Sequence, residues 1–68
     1  MITEIGIVAG EIWHYLESKN KTDNLDNIVK NIDRPRDTIL MSMGWLAREG
    51  HIVLTGEGAN RKVNLRNK

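Results

Sequence analysis

The side chains that carry most enzyme chemistry are scarce in this chain. It has no cysteine and two histidines, His14 and His51. The missing thiol removes disulfides, thiolate metal ligands and a cysteine nucleophile together. Neither histidine has a second ligand at metal-binding spacing, and the two fall in different segments. His14 borders an apolar stripe. His51 follows a helix end, where a positive imidazole complements the helix dipole. No pair of carboxylates has a recognisable site around it. Gly56 and Gly58 precede a strand-like run rather than a helix, so they read as a turn and not as a phosphate loop. The sequence therefore predicts no catalytic residue, no metal, no cofactor and no small-molecule site.

What remains is the chemistry of recognition, and it is of two kinds. Arg34, Arg36 and Thr38 cluster at the start of a helix, while Arg61 and Lys62 follow the glycine-rich stretch GEGAN. Guanidinium, ammonium and hydroxyl groups are what proteins present to phosphates and base edges. Residues 61–68, RKVNLRNK, hold four of the ten basic residues and no acid, so Arg66 and Lys68 extend that patch. Against this, the net charge is only +1, which does not demand nucleic acid. Asp37 and Glu57 subtract locally. The second kind is apolar. Leu40, Met41 and Trp45 lie on one helix, opposite its core stripe. Exposed apolar patches mark protein interfaces, Trp anchors them, and Met adapts to a partner's shape. Gly44 beside Trp45 leaves a dent for a partner side chain. The alternative places Trp45 sideways on the first helix or under the hairpin, closing a small core; the sequence leaves both open.

These groups are positioned by a short series of elements. Ile5, Val8, Ala9, Ile12 and Leu16 recur at spacings of three and four, the apolar stripe of a helix over about Thr3–Lys19. Trp13, beside Ile12 and Leu16, is expected in the core, and Tyr15 at its edge. Gly6 and Gly10 inside this helix each cost about 1 kcal/mol relative to Ala, which suggests close approach of another backbone. Asn20-Lys21 breaks the period. Residues 21–24 form a polar connection with room for a minimal strand near Lys21–Thr22. Asn24 suits the N-cap of a second helix whose apolar face is Leu25, Ile28, Val29 and Ile32. That helix ends near Asn31, and Ile32-Asp33-Arg34 make a tight turn. Asp33 is expected to cap a third helix, with Pro35 in its first turn. This helix runs to about Glu49 and buries Ile39, Met43 and Leu46, with Ala47 on the flank, until Gly50 stops it. Ile52 and Leu54, then Val63 and Leu65, alternate as two strands of a hairpin. Asn60 can take the left-handed angles of its turn, and Asn67 and Lys68 are expected to fray.

Sixty-eight residues make one domain, residues 1–68. The order helix, short helix, tight turn, long helix, hairpin is an α+β, mostly α winged helix-turn-helix, three helices followed by a two-stranded wing. At this size a core stabilises by only about 3–5 kcal/mol, so a twin subunit would help. The N-terminal apolar run is short and lacks a basic leader, and no stretch of about 20 apolar residues is present, so a cytoplasmic location away from membranes is expected. Two runs, Ala9-Gly10-Glu11-Ile12-Trp13 and Met43-Gly44-Trp45-Leu46-Ala47-Arg48-Glu49-Gly50, resemble a family of small, uncharacterised bacterial and archaeal winged helix-turn-helix domains of unknown function. The resemblance covers essentially the whole chain, and the Gly-Trp-Leu-Ala-Arg-Glu run is its most specific part. It implies the fold and self-association, and no established activity.

Two functions follow as expectations. In the first, the domain is of transcription-regulator type and contacts double-stranded DNA, with Arg34, Arg36 and Thr38 approaching the groove and Arg61 and Lys62 on phosphate. In the second, it is a protein-interaction or homodimerisation module that does not bind DNA, anchored by Leu40, Met41 and Trp45. The first is the leading expectation, with DNA bound weakly or as a dimer, and the second its close alternative, since Arg48 is the only basic residue on the outer face of the third helix and lies at the C-terminal end, whereas base contacts come mostly from N-terminal positions.

Overall fold

The computed structural model describes residues 2–58 and 61–66. The expectations for Asn60, for fraying of Asn67 and Lys68, and for Lys68 in the basic patch lie outside the described residues. The elements are α1 (Ile2–Ser18), β1 (Thr22–Asn24), α2 (Leu25–Asn31), α3 (Arg36–Arg48), β2 (Ile52–Thr55) and β3 (Lys62–Leu65). This is the winged helix-turn-helix read from the sequence, with the minimal strand after α1 now a full partner. The sheet is antiparallel in the order β1-β3-β2. Thr22 pairs with Asn64 on one side of β3, and Ile52 with Leu65 on the other. The wing is thus the outer two-thirds of a three-stranded sheet.

Core residues come from every element except β1: Val8, Ala9, Ile12 and Leu16 on α1, Ile28 on α2 with Ile32 just past its end, Ile39, Met43 and Leu46 on α3, and Ile52, Val63 and Leu65 in the sheet. Helical and two-residue periodicity therefore identified the buried stripes. Leu54 departs from its pattern. It faces Val63 across the hairpin yet stays exposed, because it lies on an edge strand toward the wing tip, past the reach of the helices. Trp13 is also exposed at 38%, which overturns its expected place in the core. One step along a helix turns a side chain about 100°, so neighbours of a buried Ile12 can point outward. The ring instead packs edge-on to His14, with centroids 5.4 Å apart. Gly6 and Gly10 meet nothing within 4 Å of where a Cβ would stand. Among the described residues no backbone approaches them, contrary to expectation.

Helix ends are set by local chemistry. The Asn24 side chain accepts the Asn27 N–H at 2.8 Å, an N-cap for α2 as read from sequence. At the start of α3 the expectation fails: Pro35, with ψ 144°, is the N-cap and makes no side-chain cap bond, while Asp37 Oδ1 accepts the Thr38 N–H at 2.9 Å within the first turn. The ring of Pro35 disfavours helical angles at Arg34, so the helix cannot begin as early as an Asp33 cap requires. At its other end α3 closes in a Schellman motif. His51 N–H donates to Leu46 O at 2.9 Å and Gly50 N–H to Ala47 O at 3.1 Å. Gly50 sits at φ 78°, where a side chain is strained. This turn sends the chain directly into β2.

Candidate interaction and nucleic-acid surfaces

The five polar residues expected at DNA do not form one surface. Arg34 is committed to α1. Its guanidinium grips Glu11 with both prongs, Nε to Oε1 at 3.0 Å and Nη2 to Oε2 at 2.6 Å. The donated hydrogen bonds hold the Glu11 carboxyl below the usual carboxylate range and raise the Arg34 guanidinium in turn. The pair ties the turn before α3 to α1, so Arg34 is neutralised where it was expected to be free. Thr38 is withdrawn for a different reason. It is buried at 6%, on the inner flank of α3, and its carbonyl accepts the hydroxyl of the fully buried Ser42 at 2.8 Å. Its side chain does not face a groove.

Arg36, Arg61 and Lys62 remain. Arg36 and Lys62 are exposed and Arg61 is half-buried. Arg36 and Arg61 border one cleft of about 410 Å³ together with Leu25, Asp26 and Gly58. The start of α2, the start of α3 and the wing meet there. The backbone of Arg61 is fixed on both sides, its N–H donating to Gly58 O at 3.2 Å and its carbonyl accepting the Leu25 N–H at 3.0 Å.

The outer face of α3 carries the apolar set. Leu40, Met41 and Trp45 are exposed at 39%, 42% and 47%. Trp45 therefore does not close the core. Nothing stands within 4 Å of a Cβ placed on Gly44, so the dent beside Trp45 is open. Asp37 and Arg48, both exposed, terminate the same face at opposite ends.

Sequence reading missed a polar junction between α1, β1 and α2. Tyr15 Oη donates to Asp23 Oδ2 at 2.6 Å. The other Asp23 oxygen accepts the Asn24 N–H at 2.8 Å and the Asn27 amide at 3.0 Å. Burial works to raise the Asp23 pKa, but these hydrogen bonds outweigh it and the carboxyl ends below its ordinary value. Burial, then the bond to the anionic Asp23, push the Tyr15 phenol up. Lys19 Nζ stands 5.6 Å from the Tyr15 ring centroid. No sequence motif announces contacts between residues this unlike in type. Beside this junction runs an open groove of about 730 Å³ whose lining includes Glu11, His14, Tyr15, Asn31 and Arg34. Glu11 and Arg34 on its wall are paired with each other, and Asp33 and His14 also line it. Among the described residues, no group of three or more His, Asp or Glu is placed to hold a metal ion. No described helix is long and apolar enough to cross a membrane.

Comparison with known proteins agrees with this geometry. A family model described as a winged helix-turn-helix domain (DUF2582) matches residues 1–66. The chain is 30% identical over 64 residues to the uncharacterized protein MJ1608 of Methanocaldococcus jannaschii, an alignment spanning 93% of this chain and 91% of that protein. No solved structure matches it.

Proposed function

Since this chain belongs to the DUF2582 family of winged helix-turn-helix domains, we propose that it acts by binding rather than catalysis, and that it binds a second copy of itself across the outer face of α3. The observation that carries this is the order of residues on that face. Asp37, Leu40, Met41, Gly44, Trp45 and Arg48 read symmetrically about their midpoint. Two α3 helices packed antiparallel about a two-fold axis bring Leu40 opposite Trp45, Met41 opposite Gly44, and Asp37 opposite Arg48. Every contact is complementary: an apolar pair, a long side chain over an open dent, and an acid against a base. A two-fold interface requires self-complementarity of this kind. A fold this small also gains from covering the exposed part of three large apolar side chains, 39–47% of each, which is a fraction of the roughly 1.5–3 kcal/mol of complete burial.

Sedimentation of the purified chain tests this. A dimer is expected, and Met41→Glu should give a folded monomer. Asp37→Arg and Arg48→Asp should each weaken association, and the doubly exchanged variant should regain it. A monomeric wild type at high micromolar concentration overturns the reading.

Contact with DNA is a second reading, supported by the convergence of Arg36 and Arg61 with Lys62 nearby. The dimer occupies the face of α3 that would enter a major groove, so any DNA contact belongs to the start of α3 and the wing alone. Three phosphate contacts give a salt slope of roughly −2 to −3, hence weak binding that salt disrupts. Retention on heparin at low salt that Arg36→Ala and Arg61→Ala leave unchanged would defeat it.

A further inference from the structure

We propose that the cleft between α2, α3 and the wing is a phosphate-binding site, in which Arg36 and Arg61 hold the anion and Leu25 meets the organic part of a small phosphorylated ligand. This shares two residues with the DNA reading but stands without it.

Two arginines from separate parts of the fold border one cleft. Arg34, two residues away, shows what an arginine of this domain does when its role is structural: it forks onto a carboxylate. Arg36 and Arg61 have no such fork. Among the described residues, neither side chain takes part in a hydrogen bond or ion pair, although Asp26 lines the same cleft. Two cationic side chains bordering a cleft with one carboxylate, Asp26, leave a net attraction for an anion. The planar fork of arginine matches phosphate in two-pronged geometry. The peptide on each side of Arg61 is fixed by hydrogen bonds, so its side chain starts from a set position. Arg36 projects from the first turn of α3, where Asp37 Oδ1 accepts the Thr38 N–H at 2.9 Å, so the anion field of the cleft rests on the two arginines and not on the helix end. A cleft of about 410 Å³ exceeds a bare phosphate and falls in the size range of small-molecule sites. Among the described residues Asp26 is the one carboxylate on the rim. It leaves the cleft a surplus of one positive charge and competes with the ligand.

Titration of the isotopically labelled full chain with inorganic phosphate at low ionic strength tests the site, and a short duplex DNA is titrated in parallel. Saturable shifts at Leu25, Asp26, Arg36, Gly58 and Arg61 are expected. Arg36→Ala and Arg61→Ala should each weaken phosphate binding about tenfold, whereas Asp26→Asn should tighten it. Lysine at either position should restore only part of the loss, since it keeps the charge and loses the fork. Both arginines are surface residues, and the amide spectrum reports directly whether each variant is folded. Phosphate that binds through the arginines supports the site. If duplex DNA then displaces it, the natural source is a nucleic-acid backbone; if DNA does not, the source is a free phosphorylated ligand. Shifts that never saturate, or that survive both alanine variants, overturn the site even if DNA binds elsewhere on the chain.

Discussion

At the scale of single residues, the stability of this domain is tied to pH through Tyr15 and Asp23. The Asp23 carboxyl is held below its ordinary value by three hydrogen bonds. A depressed carboxyl contributes stability that is present above the ordinary aspartate range and lost as pH falls through its folded value. The raised Tyr15 phenol has the opposite sense: its contribution is present below about pH 10 and lost as pH rises further. Denaturant melts across pH should therefore show a plateau that falls off at both ends. Asp23→Asn should flatten the acid limb, and Tyr15→Phe the alkaline limb, at a cost of about 1–2 kcal/mol near neutrality. An acid limb in Asp23→Asn identical to the wild type would refute this assignment. The sequence showed Tyr15 at the edge of the core but not its partner. A hydrogen bond between α1 and β1 depends on how the chain reverses at Asn20 and Lys21, both at positive φ, and residue types do not encode that reversal strongly. The arginines divide for the same reason. All three looked alike in the sequence, and only the fold decides which one meets Glu11.

At the scale of elements, what was legible is what short-range physics controls. Apolar periodicity gave the buried faces of α1, α2 and α3, and Asn24 and Gly50 marked ends where the structure has them. Asn24→Ala should lower stability by about 1 kcal/mol, through loss of its bond to Asn27. Gly50→Ala should cost about 1 kcal/mol as well, because it forces a side chain into the left-handed region; chemical denaturation measures both. The errors were also local in cause. Asp33 was a plausible cap until the constraint that Pro35 places on Arg34 is considered. Trp13 was assigned to the core and Trp45 left open, because a tryptophan in a very small domain satisfies either a core or an interface. Their exposure follows from angular position on each helix, outside the stripe that the opposing helix covers. The candidate α3 interface was legible as a set of residues but not as a symmetric one. Its two-fold order emerges only once Leu40, Met41, Gly44 and Trp45 are known to face outward together.

At the scale of the whole molecule, the proposed self-association couples folding to concentration. A partner that binds only the folded state adds stability by mass action. The midpoint of thermal unfolding should rise with protein concentration in the wild type and stay constant in Met41→Glu; calorimetry over a hundredfold concentration range separates the two. An invariant wild-type midpoint would count against the dimer. The sheet order also constrains how the chain is made. β3 lies between β1 and β2, so neither outer strand has a partner until residues 62–65 are present. On the ribosome, α1, α2 and α3 emerge before β3, so the core positions that Val63 and Leu65 fill are open until then. A nascent chain stalled before Lys62 should remain sensitive to protease, and one that exposes Leu65 should become resistant in a single step. The central strand β3 acts as the zip of the sheet.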